Sequence, residues 1–81
     1  MTSFDGAFGL ERPAIYHIRI QGVLDPGWSA RLEGLKIEVE HGDDGLPMTL
    51  LSGRLEDQAA LNGVLSTLYG LGFALRSVTA L

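Results

Sequence analysis

The spacing of apolar residues switches period along this chain, and that switching limits it to a fold mixing strands with helices. In AIYHIRIQ, Tyr16, Ile18 and Ile20 share one parity while His17, Arg19 and Gln21 share the other. A period of two marks a strand with one buried face. The same alternation returns at Leu35, Ile37 and Val39 against Lys36, Glu38 and Glu40. Further on, Leu61, Val64, Leu65 and Leu68 recur at three and four residues, the stripe of an amphipathic helix.

Punctuation between these runs completes the pattern. Asp25 and Pro26 open a short helix of about two turns that Gly34 stops, with Trp28 and Leu32 on one face. HGDDG (41–45) has the composition of a hairpin loop, and PMTLLSGRL returns as a strand. Pro47 places that strand's start beyond it or at an edge, and Gly53 marks a bulge or a close backbone approach. Asp57 caps the second helix, Gly72 ends it, and FALRSVTAL is the last strand. The order strand, helix, strand, strand, helix, strand predicts an α+β, ferredoxin-like βαββαβ sandwich. It has a four-stranded antiparallel sheet with both helices on one face. The other face is expected to be open and lined by His17, Arg19, Gln21, Lys36, Glu38 and Glu40. The expected core is Tyr16, Ile18, Ile20, Leu35, Ile37, Val39, Leu61, Val64, Leu65 and Leu68.

Residues 1–13 show no periodicity, and Gly6, Gly9 and Pro13 oppose a stable helix. They read as a tail that folds back over an edge of its own sheet, leaving a monomer, or as an arm that grips a neighbouring subunit, ahead of one α+β domain over 14–81. Eighty-one residues suffice for one small domain with a modest core. The chain has no cysteine, so neither a disulfide nor a thiolate metal site reinforces it. A net charge of −4 argues against a nucleic-acid phosphate backbone and an anionic membrane surface as partners. The first residues lack the basic start and apolar run of a signal peptide, and no segment suits a bilayer span. The expected location is therefore cytoplasmic.

Four glycines punctuate the stretch 50–75. Ala59, Gly63, Thr67 and Gly70 fall at helical spacing and define a groove of small residues beside the leucine stripe. An internal helix glycine costs about 1 kcal/mol against alanine, so a compensating close approach is expected. Trp28 is the filler expected within one chain, and the same groove on a second copy is the alternative.

Residues able to carry chemistry are few. His41, Asp43 and Asp44 share the hairpin loop, a donor set suited to a divalent ion, yet one short loop cannot aim enough ligands. They are read as a solvated turn. His17 has no acid or nucleophile near it in sequence; Glu38 or Glu40 would flank it across strands. No phosphate loop, dinucleotide fingerprint, zinc spacing or serine triad motif occurs. No catalytic, cofactor-binding or metal-binding residue is therefore assigned.

Gln21, Gly22 and Val23 resemble the segment that opens the phosphate cradle of the acylphosphatase family. The arginine that family places shortly afterwards is missing, with Asp25, Pro26 and Gly27 there instead. Its asparagine on the central strands has no counterpart, since Asn62 lies in the second helix. The likeness implies shared topology and not shared activity. Across most of the chain, and above all at Asp57, Gln58, Ala59, Ala60, Leu61 and Gly63, the sequence resembles a group of short bacterial proteins without assigned activity. At the level of fold it resembles ACT-type regulatory domains, which implies small-molecule sensing.

The preferred function is a non-catalytic interaction or regulatory domain that self-associates as a homodimer or higher homo-oligomer, with a further protein partner possible. The expected interface residues are Phe4, Phe8, Leu10, Leu50, Leu51, Gly63, Thr67 and Gly70. Leu50 and Leu51 are adjacent in a strand, so one of them must point away from the helices. The alternatives are an ACT-like sensing domain and a small enzyme of acylphosphatase-like topology.

Overall fold

The structure, a computed structural model, describes residues 13–81. Its elements are β1 (Ala14–Gln21), a 3-10 helix (Pro26–Leu32), β2 (Lys36–His41), β3 (Pro47–Leu55), α1 (Gln58–Gly70) and β4 (Leu75–Ala80). The four strands form one sheet in the order β2-β3-β1-β4, and every neighbouring pair is antiparallel. β1 and β2 are therefore parallel with β3 inserted between them, and β3 and β4 are parallel with β1 inserted. Each helix is the connection across one of these gaps.

The alternation in β1 places Tyr16, Ile18 and Ile20 in the core, joined by Leu51 and Leu55 of β3 and by Leu61, Val64 and Leu68 of α1. Leu24, Leu32 and Leu35, from the connection between β1 and β2, complete it. Thr49 is the one fully buried polar side chain there among the described residues. Its hydroxyl donates to Gly22 O at 2.7 Å and accepts from Leu24 N–H at 3.0 Å, tying the turn after β1 to β3. A buried backbone N–H needs such a partner.

Local signals act as expected at several points. Asp57 Oδ1 accepts from Ala60 N–H at 2.9 Å and caps α1. At its other end Phe73 N–H bonds to Leu68 O and Gly72 N–H to Tyr69 O. Gly72 takes a φ of +89°, the paired-bond motif that stops helices at glycine. Gly53, with φ +150°, sits where an added Cβ would lie 3.0 Å from Leu35 Cδ2. It marks a close approach; the strand irregularity lies instead between β1 and β4, at Arg19 and Ile20.

Three expectations are corrected. The first helix is a seven-residue 3-10 helix, capped by the Asp25 carboxylate on Gly27 N–H and ended by Glu33 at φ 60°. With three residues per turn, positions i and i+3 eclipse, so Trp28 stacks under the Arg31 guanidinium, 5.2 Å from its ring centroid. Leu32 alone turns fully inward. Val39, expected in the core, is 46% exposed because β2 is an edge strand and Val39 lies near the hairpin end of it. Trp28 does not fill a groove at Gly63, since a Cβ at Gly63 or Gly70 would meet nothing within 4 Å.

Candidate interaction surface

On the sheet face away from the helices, His17, Arg19, Gln21, Lys36, Glu38 and Glu40 stand as the alternation predicts. Arg19 is registered opposite Leu50, and Glu40 opposite Met48. Arg19 Nε donates to Glu40 Oε1 at 3.1 Å, so the ion pair crosses over β3 between those two residues. Leu50 is only 9% exposed beneath it. Leu51, on the helix side, is fully buried. Neither leucine offers free surface in the monomer. His17 is registered against Ser52 and Thr79, with β3 between it and the glutamates of β2.

At the hairpin end of this face, a polar pocket of about 470 Å³ is lined by Gln21, His41, Asp43, Asp44 and Arg76 among others. Gln21 Nε2 donates to Pro47 O at 2.8 Å, and its Oε1 accepts from Arg76 Nη1. The Asp44 carboxylate accepts from Leu46 N–H at 2.9 Å and shapes the loop. Among the described residues, no group of three or more acids, histidines or cysteines is placed to hold a metal ion.

The helix side behaves differently at β4. Register places Val78 beside Ile18 and Leu75 beside Ile20, on the face that forms the core. Yet Val78 is 37% exposed and Leu75 51%. The helix packs on β3 and the 3-10 helix, and over β4 it leaves a groove of about 330 Å³. Ile20, Leu65, Leu68, Tyr69, Phe73 and Leu75 line it. Tyr69 is 83% exposed at its rim.

The two edges of the sheet are also unequal. β2 carries Lys36, Glu38 and Glu40, with Lys36 and Glu38 paired at 3.5 Å. Charge along an edge discourages strand addition. β4 carries one charge, Arg76, in the sequence LRSVTA.

Of the residues expected at an interface, Gly63 and Gly70 lie exposed on α1, and Thr67, half-buried, donates its hydroxyl back to Gly63 O at 2.9 Å. Phe4, Phe8 and Leu10 fall outside the described residues. Sequence reasoning missed the β4 surface. The broken parity of Phe73, Leu75 and Val78 was the available signal, and the extra residue Arg76, inserted between Ser77 and Leu75 in the pairing with β1, is its cause.

Asp25, Pro26 and Gly27 follow the Gln21–Val23 turn as a helix cap, and Asn62 is exposed on α1. No helix among the described residues is long and apolar enough to cross a membrane. A family model described as a domain of unknown function, DUF8691, matches residues 15–79, from β1 through β4. No curated protein and no solved structure matches the chain.

Proposed function

We propose, for a chain that belongs to the DUF8691 family of unknown function, a non-catalytic role as a self-associating interaction module. The carrying observation is that Leu75 and Val78 lie on the core-forming face of the sheet and are nevertheless partly exposed to solvent. A domain this small gains stability by covering such a strip. The net charge of −4 favours a protein partner over nucleic acid or an anionic membrane, and the absence of cysteine accords with a cytoplasmic setting. We read the fold as a ferredoxin-like sandwich in which the first helix is reduced to 3-10 turns, since both of its crossovers are split by an inserted strand.

Light scattering over a micromolar dilution series tests the reading. A mass near twice the 8.7 kDa chain is expected; one chain mass at every concentration refutes it.

An ACT-type sensing role is the second reading. It is supported by the pocket that sets Arg76 and Gln21 with Asp43 and Asp44, opposite charges suited to a small zwitterion. A thermal-shift screen with free amino acids is its test, because a ligand that binds only the folded state raises the midpoint.

A further inference from the structure

We infer that the partner of β4 is β4 of a second copy, paired antiparallel about a two-fold axis through Val78, so that two sheets join into one of eight strands. This deepens the self-association reading and rests on it.

Three observations lead here. The first is the direction of the backbone. Leu81 N–H bonds to Ile15 O at 2.8 Å, and hydrogen-bonded and non-hydrogen-bonded pairs alternate along an antiparallel ladder. Thr79 and Ser77 therefore exchange bonds with His17 and Arg19, whereas Val78 and Ala80 turn their N–H and C=O groups outward at an edge that no strand covers among the described residues. An outward strand edge is satisfied by another strand. A second copy supplies an identical edge, and isologous pairing closes after two chains.

The second is the orphaned hydroxyl of Ser77. Its Oγ is shielded from solvent and has no hydrogen-bond partner among the described residues. With the axis at Val78, Ser77 stands opposite Thr79 of the second copy, on the same face, and the two hydroxyls meet as a cross-strand pair. An axis one position along, at Thr79, would face Ser77 with Leu81 and leave that oxygen alone. Centring on Val78 also keeps all of Arg76–Ala80 overlapped.

The third is the apolar surface. A two-fold axis perpendicular to the joined sheet puts both copies of α1 on one side, so their two grooves face each other across the paired strands. Leu75, Val78 and Tyr69 of each copy then cover one another.

The chain has no cysteine, so engineered cysteines report the register directly. Directly opposed residues in a non-hydrogen-bonded pair have Cα atoms about 4.5 Å apart and the closer Cβ atoms that a disulfide needs, and Ser77 and Thr79 of the second copy form such a pair. The double variant Ser77→Cys/Thr79→Cys is expected to form a disulfide-linked dimer under mild oxidation, and Thr79→Cys alone is not. Val78→Pro removes only an outward N–H; it is expected to give a chain of monomer mass with an unchanged far-ultraviolet circular dichroism spectrum. A wild-type dimer in which Ser77→Cys/Thr79→Cys fails to cross-link, or which Val78→Pro leaves intact, overturns the edge pairing while self-association stands. Preferential cross-linking at Thr79→Cys overturns the register. A wild-type mass of one chain overturns both.

Discussion

Replacing Thr49 by valine keeps the shape of a fully buried side chain and deletes its hydroxyl. Two hydrogen bonds go with it, the 2.7 Å bond to Gly22 O and the 3.0 Å bond from Leu24 N–H. Leu24 is itself buried, so its N–H is left without water or protein to bond. A buried group stranded in this way costs about 1–3 kcal/mol, and the lost bond to Gly22 adds about 1 kcal/mol. Thr49→Val should therefore destabilise the domain by about 2–4 kcal/mol. A chain of this length has a total stability of about 4–12 kcal/mol at the usual per-residue values. The midpoint of thermal unfolding should fall by about 8–32 °C. Urea unfolding followed by circular dichroism measures the change, with an unaltered slope showing that the unfolded state is the same. Thr49→Ser is the control: it keeps the hydroxyl and loses one methyl, for about 1 kcal/mol. If Thr49→Val lies within about 0.5 kcal/mol of the wild type, or if Thr49→Ser is the worse of the two, the hydroxyl does not hold the turn and the reasoning fails.

Other substitutions probe separate parts of the fold. Gly63→Ala should stabilise the protein by about 0.5–1 kcal/mol, because the helix position is open around an added Cβ; a loss of stability in urea melts would show that something packs there. Gly53→Ala should destabilise it by more than 1 kcal/mol, since φ is +150° and Leu35 Cδ2 stands 3.0 Å away; an unchanged urea midpoint would contradict this. Asp57→Ala removes the cap of α1 and should lower stability by about 1 kcal/mol, with Asp57→Asn recovering most of it in the same assay. Leu51→Asp should abolish the folded signal in circular dichroism, because Leu51 is sealed in the core, and a folded Leu51→Asp protein would refute that placement.

What the sequence determined by itself is local. The alternation of Tyr16, Ile18 and Ile20 made β1 and its buried face legible, because side-chain direction in a strand follows from backbone geometry alone. Asp57 and Gly72 bounded α1 for a similar reason: a cap acts on amides three residues away. The tertiary structure decided what lies above each face. Val39 and Val78 carry a core-side parity like that of Ile18, yet they stand on edge strands beyond full helix cover and stay partly exposed. Leu50 has the parity of the open face and is buried, because Arg19 and Glu40, 21 positions apart in the chain, meet across it. The small residues of α1 made a groove at helical spacing, but spacing does not say whether a neighbour arrives, and none does at Gly63. Burial depends on elements brought together from distant parts of the chain, and the placement of α1 over the sheet is what leaves β4 partly exposed.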